Sequence, residues 1–337
     1  MENKIEEEIF KLKKEVSSTL KSSQTEDWVD YHIVRPLGFM WAKLFARMGM
    51  HPNAVTIISM VIGAASCIFF AHGSFHYEGG TGMMMNIIGF VLLLWAYVYD
   101  CTDGQLARMT GKKSKLGRIL DGAAGYAWYI PIYAALVYRF YVHHDVEFGL
   151  LGIEDTPTNS LIAAGVALVL GFVSGVFCLA SQQRTADYYI QIHLFFQKGE
   201  KGSELDSSTK QREIYENMPE NANWLERLIQ KTYIKYTLQQ ERRTPEFQKL
   251  MNKLMETYGD SSQIPQKIRH EIVQNSRKLM KYVFMLVFNF RTIFLMLFCA
   301  FDLPLEYFLF EIIVISLIER YTIRRHEAFC KGVRCRV

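Results

Sequence analysis

The sequence predicts an all-α, polytopic membrane protein with six transmembrane helices, an N-terminal interfacial amphipathic helix and a cytoplasmic helical insertion. Of its 337 residues, 50% are hydrophobic and 14% are aromatic, which is more than a soluble domain needs. Six apolar stretches are long enough to cross a bilayer, whose hydrocarbon core takes about 20 helical residues. Long polar segments also occur, so membrane spans and a soluble part coexist in the chain.

The six predicted spans are apolar stretches with few charged residues. They cover residues 55–72, 83–99, 119–142, 161–180, 282–301 and 303–318. Only Asp302 and its neighbours separate the last two spans, so we expect a tight helical hairpin there.

The connecting loops predict the orientation, because Lys and Arg are retained on the cytoplasmic side of a membrane. Three loops contain no Lys or Arg: 74–82, 143–159 and 302–306. The other connections are basic: the N-terminal segment, the loop 111–118 with Lys112, Lys113 and Lys115, the segment 184–281 and the C-terminal tail. An even number of spans with both termini in the cytoplasm satisfies every loop. The net charge of +4 is mild and does not predict nucleic-acid binding.

The segment 27–49 (DWVDYHIVRPLGFMWAKLFARMG) mixes aromatic and basic side chains, which is typical of a helix lying in the membrane interface. A soluble helix packed on the bundle is the alternative. Pro52 ends this helix before the first span, because proline disfavours helical geometry in the preceding residue.

Between the fourth and fifth spans the chain is polar, with aromatic residues at helical intervals, which predicts a helical cytoplasmic insertion. The predicted regions are 1–54 for cytoplasmic and interfacial helices, 55–184 for spans one to four, 185–278 for the insertion, and 279–337 for the last two spans and a basic tail. Residues 1–21 are charged and lack the apolar core of a signal peptide, so none is expected. The six scattered cysteines are expected to be reduced thiols.

Three acids mark the candidate site. Asp100 and Asp103 lie at the cytoplasmic end of the second span, and Asp121 lies just inside the third. Positions three apart share one helix face, and spans joined by a short loop are neighbours, so the three carboxylates can converge. Carboxylates beside a bilayer are costly unless paired, and hard oxygen ligands suit Mg²⁺, Mn²⁺ or Ca²⁺. Salt bridges to Arg108 and Arg118 are the alternative.

Two glycines support a ligand site, since Gly104 and Gly117 occur where a ligand would approach the backbone closely. Ala107 leaves further room. Each glycine alone is as compatible with a helix-packing contact. Their joint spacing with the acids favours the ligand site.

The full pattern reads Asp100-x-x-Asp103-Gly104-x-x-Ala107-Arg108, eight residues, then Gly117-x-x-x-Asp121. It resembles the signature of the CDP-alcohol phosphotransferases (CDP-alcohol phosphatidyltransferases), matching seven of its eight fixed positions. The resemblance extends to the six spans, the interfacial helix and the Pro52-Asn53-Ala-Val-Thr56 entry to the first span.

The resemblance implies a mechanism. Asp100, Asp103 and Asp121 would ligate a divalent metal, Mg²⁺ or Mn²⁺, that holds the CDP pyrophosphate. An acceptor hydroxyl would attack the phosphorus nearer the alcohol, and CMP would leave. The cytidine and phosphate side of the pocket would be formed by Gly104, Ala107, Arg108 and Gly117.

The sequence departs from the signature at its last position, where Gly125 replaces an aspartate that serves the family as metal ligand and favoured base. The neighbouring Tyr126 is a candidate base, although a phenol with a pKa near 10 is poor at this and lies about 100° around the helix. A substrate phosphate or a metal-bound water could also accept the proton.

Asn289 and Arg291 fall in the fifth span, where ionisable side chains are functional candidates, so they are candidates for acceptor binding. Snorkelling of Arg291 to the surface is the alternative. Arg139 is expected to snorkel toward the outer face.

The leading hypothesis is a phospholipid-synthesising transferase that moves a phosphate-linked group from a CDP-alcohol, with CDP-diacylglycerol as the expected donor. Inositol or inositol phosphate is the candidate acceptor. The alternative is a non-catalytic scaffold that binds metal and CDP, as suggested by Gly125. A transporter is disfavoured, because the acids lie at the mouth of the bundle. The resemblance also predicts a homodimer in a cell inner membrane or endomembrane.

Overall fold

The computed structural model describes residues 15, 16, 19, 22–112, 114–219 and 223–337. These residues contain helices and no strand, which confirms the all-α prediction. Lys113 and most of residues 1–21, on which the expectation of no signal peptide depends, lie outside the described part. The described residues fold as two compact units.

The first unit comprises Met1–Ser181 and Val287–Ser316. Its α-helices are α1 (Arg35–Arg47), α2 (Pro52–Ala71), α3 (Phe75–Glu78), α4 (Gly80–Thr110), α5 (Lys115–Val142), α6 (Asp145–Leu151) and α7 (Pro157–Phe172), followed late in the chain by α13 (Phe288–Ala300) and α14 (Pro304–Leu309). Three π-helical turns, at Asp30–Val34, Val173–Cys178 and Phe310–Ile315, continue α-helices of this unit.

The second unit comprises Gln182–Leu286 and Leu317–Val337. It contains most of α8 (Leu179–Lys198), then α9 (Ser208–Glu216), α10 (Trp224–Arg243), α11 (Pro245–Tyr258), α12 (Gln266–Val283) and most of α15 (Ser316–Arg334). The polar segment after the fourth predicted span is therefore helical, as expected.

Four helical stretches of the described chain are long and apolar enough to cross a membrane. They are Pro52–Ala71, Gly80–Thr110, Pro157–Lys198 and Gln266–Ala300. The predicted third span forms the helix α5, but its tyrosines and glycines, together with Asp121 and Arg139, make it less apolar. The predicted sixth span is helical as well and carries Glu306 and Glu311. The chain is an integral membrane protein, and the count of six spans stays a prediction.

The core of the first unit is built where α2 approaches α5. Gly63 makes this approach possible, because a Cβ at this position would lie 2.1 Å from Cδ1 of Trp128. The Trp128 indole donates a hydrogen bond to the carbonyl of Ser59 at 3.0 Å. Trp128 also packs in a buried cluster with Phe70, Leu93 and other apolar side chains. This contact fixes α5, and with it the third acid of the motif, against α2.

Arg139 does not snorkel, which corrects the sequence-based expectation. Its side chain is 1% exposed and forms an ion pair with Asp302. The same guanidinium donates to the carbonyl of Cys299 at 2.7 Å and to Oδ1 of Asn86 at 2.9 Å. Asp302 lies in the predicted hairpin turn between α13 and α14, with a φ of 56°. A buried counter-charge therefore removes the need for this arginine to reach water.

The segment 27–49 contains the π-helical turn Asp30–Val34, continued by α1. One side is buried and includes Phe39, Ala42 and Phe45. The other side exposes apolar residues three or four positions apart: Ile33, Leu37, Met40, Leu44 and Met48. An exposed apolar stripe beside basic residues fits a helix lying in a membrane interface, and that location stays a prediction.

Candidate active site

The motif lies at the end of α4 and the beginning of α5. Gly111, with a φ of 70°, ends α4 in the left-handed conformation that glycine adopts without strain. Ser114 then begins α5, because its hydroxyl accepts a hydrogen bond from the backbone N–H of Gly117 at 2.9 Å. The short connection brings Asp121 back toward the two aspartates of α4.

Asp103 is held by the first span. The hydroxyl of Thr56 on α2 donates a hydrogen bond to Oδ2 of Asp103. Both residues are buried, with exposed fractions of 2% for Thr56 and 6% for Asp103. A carboxylate whose second oxygen is fixed in this way presents its other oxygen in a defined direction.

The three motif acids are electrostatic neighbours. The charge of Asp121 acts more strongly than any other on both Asp100 and Asp103. Oδ1 of Asp100 is buried and has no hydrogen-bond partner among the described residues, whereas Asp121 is exposed. Carboxylate oxygens gathered in this way, one of them buried without a donor, are the ligands that Mg²⁺ and Mn²⁺ take. The chemistry of the site therefore fits a divalent cation.

Arg108 turns toward the N-terminal segment, where its Nε donates to the carbonyl of Thr19 at 2.5 Å. Its guanidinium lies close to Gly104, at which a Cβ would be 3.2 Å from Nη1. The charge of Arg108 still acts on Asp103. A second cation, Arg35 of α1, acts on Asp100. Two arginines thus lie within electrostatic range of the acids, as an anionic ligand would require.

Gly117 has a packing reason to be glycine. A Cβ here would lie 2.8 Å from Oδ1 of Asn53 and 3.0 Å from Oγ of Ser114. Asn53, at the start of α2, therefore fills the space beside the α5 N-terminus. The backbone of Gly117 stays accessible at this end of the helix, and Ala107 is half-buried on the facing end of α4.

One face of α5 continues from the acids into the bundle. Its positions are four apart: Asp121, Gly125, Tyr129 and Tyr133. The Tyr129 hydroxyl lies 2.6 Å from Oγ1 of Thr292 on α13, and either oxygen can donate. Deeper in the bundle than Gly125, where the motif has an aspartate, the polar groups on this face are therefore hydroxyls. Tyr126, one position further round, is half-buried and packs against the apolar core.

Arg291 lies deep in this unit, 1% exposed, and pairs with Glu311, which is fully buried. It also donates to the hydroxyl of Tyr133 at 3.1 Å, and this hydroxyl donates to Oε2 of Glu311 at 2.6 Å. The surface position considered as an alternative for Arg291 is therefore excluded. The arginine is three turns of α5 below Asp121, and its charge is already balanced.

Asn289 faces the N-terminal helix. Its Nδ2 donates to Oδ2 of Asp27 at 2.6 Å and to Oδ1 of Asp30 at 2.9 Å. The hydroxyl of Tyr97 on α4 donates to the Asp30 carboxylate at 2.9 Å. This cluster joins the segment before α1 to α4 and α13. The two candidate acceptor ligands, Asn289 and Arg291, thus have protein partners.

A second group of side chains that could hold a metal ion lies in the other unit. Among the described residues, His326, Glu327 and Cys330 of α15 each offer one ligand atom, and these three atoms lie within 4.8 Å of one another. The sequence analysis assigned these residues no role, because they fall in a basic tail outside the motif.

Four candidate membrane spans among the described residues, together with an acid-lined site between α4 and α5, define this chain as an integral membrane protein with a candidate cation site. Residues 49–189 match the model of the CDP-alcohol phosphatidyltransferase family, so the chain carries a domain of this family and the resemblance is confirmed. No curated protein and no solved structure matches the chain. The family transfers phospholipid head groups from CDP-alcohols in membranes and is generally dependent on divalent metal.

The structure adds three residues near the acids to which the sequence analysis gave no role: Thr56, Asn53 and Arg35. Two of them lie in the Pro52-Asn53-Ala-Val-Thr56 entry to the first span, so their motif was visible. Their contacts were not visible, because Thr56 and Asp103 are 47 positions apart along the chain.

Proposed function

We propose that this protein is a CDP-alcohol phosphotransferase of phospholipid biosynthesis. It transfers a phosphate-linked group from a CDP-alcohol, with CDP-diacylglycerol as donor, to a hydroxyl of a polar acceptor and releases CMP. The observation that carries the proposal is the arrangement of Asp100, Asp103 and Asp121, electrostatically coupled at the facing ends of α4 and α5 within the matched domain.

In this proposal the three aspartates hold a divalent cation, Mg²⁺ or Mn²⁺, which when bound neutralises pyrophosphate charge and orients the substrates. The buried Oδ1 of Asp100 and the Thr56-oriented carboxylate of Asp103 supply ligand oxygens from α4. Asp121, exposed at the start of α5, supplies the third ligand. Gly104, Ala107 and Gly117 lie on the cytidine and phosphate side of the pocket in this proposal, where the charge of Arg108 favours the phosphates.

The transfer step makes one bond and breaks one. The acceptor oxygen bonds to the phosphorus nearer the lipid, and the bond from that phosphorus to the oxygen bridging to CMP breaks, so the electron pair leaves with CMP. The acceptor hydroxyl must lose its proton. Tyr126 is the protein base proposed from the sequence; its packing against the core makes a phosphate oxygen of the donor the stronger candidate.

Gly125 has no side chain, and in this proposal the acceptor lies beside it. Ala123 and Ala124 precede it, and the hydroxyls of Tyr129 and Thr292 lie one turn deeper. These hydroxyls can bind hydroxyl groups of a polyol such as inositol. Direct binding of an inositol phosphate by Arg291 or Asn289 requires that the acceptor displace Glu311 or Asp30, since those partners now bind them.

The proposed active site faces the cytoplasm, with both termini on the same side, in a cell inner membrane or endomembrane. The basic loop after α4 supports this orientation. We also propose a homodimer, because α7 exposes a broad apolar surface that includes Leu161, Ile162 and Phe172.

Release of CMP from radiolabelled CDP-diacylglycerol tests the proposal. The purified protein in liposomes, with Mn²⁺ or Mg²⁺, is offered a panel of hydroxyl acceptors that includes inositol, inositol phosphate, glycerol phosphate and serine. We expect CMP together with one labelled lipid product, which mass spectrometry identifies. CMP formed with phosphatidic acid as its lipid co-product, and with no acceptor incorporated into lipid, would indicate hydrolysis and contradict the transferase assignment.

A second function rests on Gly125, the motif position at which glycine provides neither a ligand nor a base. In that case the protein binds metal and CDP as a scaffold and releases no CMP. Measuring CDP binding and CMP release in the same preparation distinguishes the two functions. A scaffold binds CDP in a metal-dependent way but releases no CMP with any pair of donor and acceptor.

A further inference from the structure

A group of side chains in the second unit has the composition of a transition-metal site. His326 and Glu327 are adjacent on α15 and Cys330 follows one turn later, and one ligand atom from each of the three lies within 4.8 Å of the other two. His326 and Cys330 are 2% and 1% exposed. The site thus combines a nitrogen, an oxygen and a sulfur ligand within a buried environment, a set that hard cations such as Mg²⁺ do not prefer.

The distances fit a tetrahedral ion. Zinc–sulfur and zinc–nitrogen bonds of about 2.3 and 2.0 Å at a tetrahedral angle place the two ligand atoms about 3.5 Å apart. The Sγ of Cys330 lies 3.7 Å from each of the two ring nitrogens of His326, Nδ1 and Nε2. The same Nδ1 lies 3.7 Å from Oε1 of Glu327. Small side-chain movements are enough to close the site.

The surroundings orient the carboxylate as they do in ligated sites. Oε2 of Glu327 accepts the backbone N–H of Glu246 at 2.6 Å, and Oε1 accepts that of Phe247 at 3.3 Å. These donors stand at the start of α11, so the positive end of that helix also faces the carboxylate. Ligating carboxylates are commonly hydrogen-bonded in this way by neighbouring groups.

A fourth polar group points to the same place. The hydroxyl of Tyr189 is buried without a hydrogen-bond partner among the described residues, and the residue is only 3% exposed. Its ring packs edge-on against the His326 imidazole, with ring centroids 4.7 Å apart. The carboxylate of Glu327 and the thiol of Cys330 are electrostatic neighbours of this phenol. Buried hydroxyl groups normally have a partner, and an ion bound by the three side chains would provide one for Tyr189.

We propose that His326, Glu327 and Cys330 bind a zinc ion, separate from the cation site of the motif, with the fourth position open to Tyr189 or water. One thiolate and one carboxylate would balance the charge of the dication. Zinc then stabilises α15 against α8 and α11 in the second unit. The competing interpretation is that no metal binds here and that His326 and Cys330 are joined only by a weak hydrogen bond.

Metal analysis of the full-length protein tests the site. Protein purified in detergent is incubated with zinc in the presence of excess Mg²⁺, which occupies oxygen-rich sites, and is then desalted. We expect about one zinc per chain in the wild type and in Cys335→Ser, a matched control at an exposed thiol in the same tail. Cys330→Ser and His326→Gln should lose this zinc. Equal zinc in Cys330→Ser and the wild type, or none above background in the wild type, would overturn the proposal.

Cobalt substitution provides a measurement that does not depend on the folding of a variant. Tetrahedral Co²⁺ bound by a cysteine thiolate gives a thiolate-to-metal charge-transfer absorption. We expect this band in the wild-type protein at one equivalent of Co²⁺, and its displacement by zinc. A spectrum without thiolate charge transfer at saturating Co²⁺ would contradict ligation by Cys330.

Discussion

At the residue scale, the site depends on a side chain outside the signature. Thr56 reaches from α2 to Asp103 and fixes which oxygen of the carboxylate is available. The hydroxyl has no charge, so its contribution is to orientation. Such outer partners of metal ligands typically contribute 10–100-fold to metal affinity or activity.

We therefore expect Thr56→Val to raise the concentration of Mn²⁺ needed for half-maximal CMP release by about 10- to 100-fold. Thr56→Ser keeps the hydroxyl and is the matched control, for which we expect a value close to that of the wild type. Identical metal dependence in Thr56→Val and Thr56→Ser would show that the hydrogen bond to Asp103 has no role in metal binding.

Gly125 supports a second prediction at this scale. If the space beside it holds the acceptor, Gly125→Asp blocks that space and adds negative charge, and CMP release should fall. Gly125→Ala separates the two causes, since it adds a small volume without charge. If instead the wild type lacks a base, the new carboxylate one turn from Asp121 should raise turnover by about 10²–10⁴-fold. That increase would refute the acceptor-space explanation.

At the element scale, the position of Asp121 follows from the close approach of α2 and α5. The two helices approach at Gly63, where the ring of Trp128 occupies the space that a side chain would need. A side chain added here must displace an indole that is itself buried in the core. Cores resist such additions, because they are already close-packed.

We expect Gly63→Ala to lower the free energy of unfolding by about 1–3 kcal/mol, the usual cost of overpacking. Gly165→Ala on α7 is the control, since a Cβ there meets nothing within 4 Å. That substitution should be neutral or stabilising, because alanine favours helix. Thermal unfolding in detergent compares the two variants. An equal effect of both would mean that the α2–α5 contact is not tight.

Asp30, which joins the N-terminal segment to α4 and α13, leads to a prediction about how stability depends on pH. Burial, reinforced by the neighbouring charge of Asp27, raises the pKa of Asp30 from 3.8 to about 6, although Asn289 and Tyr97 donate to it. A raised folded-state pKa means that the native protein favours the protonated form. This carboxyl group therefore costs stability as the pH rises from about 4 to 6, and the full cost remains above that range.

Lowering the pH from 7.5 to 5 should thus recover about 1 to 1.5 kcal/mol of stability through this group. The wild type is compared with Asp30→Asn, which cannot titrate, in the same detergent. The difference between their unfolding free energies should change with pH in the direction that favours the wild type at pH 5. Parallel curves for the two proteins would contradict a raised pKa at Asp30.

At the scale of the whole molecule, the described residues of the first unit include two buried ion pairs, Arg139 with Asp302 and Arg291 with Glu311. Removing one partner of such a pair typically costs 3–5 kcal/mol, because the other charge remains buried. The first pair holds the turn between α13 and α14 to α5, the helix that carries the third motif acid. The second pair joins α13 to the π-helical turn after α14 and reaches α5 through the hydroxyl of Tyr133.

The sequence predicted the helical class, the helix of the N-terminal segment and the motif at the end of α4, because hydrophobic periodicity and motif spacing are local properties. It did not predict the partners of Arg139 or Arg291. Arg139 was expected to snorkel, and Arg291 was interpreted as a candidate for acceptor binding, with snorkelling as the alternative. Their counter-charges lie in the last predicted span and the turn before it, and pairing across that distance depends on tertiary packing.

The candidate site, too, was predicted only in part from the sequence. The spacing of Asp100, Asp103 and Asp121 indicated a shared site, and the structure places them as electrostatic neighbours. The contribution of Thr56 depended on a contact between two helices and could not be derived from spacing. His326 and Cys330 lie four apart on one helix face, a spacing that could have indicated a ligand pair in the tail.

Binding of CDP measured against divalent metal tests the central claim most directly, because it does not depend on which acceptor the protein uses. Equilibrium binding of labelled CDP to the wild type should require Mg²⁺ or Mn²⁺, disappear with a chelator and return on adding the metal. Asp100→Asn and Asp121→Asn should abolish it, since neutral amides cannot balance the cation beside a pyrophosphate, while Asp155→Asn, in an exposed loop, should bind as the wild type does. CDP binding of equal affinity without metal, or in the Asp121→Asn variant, would contradict a metal-dependent nucleotide site at the ends of α4 and α5.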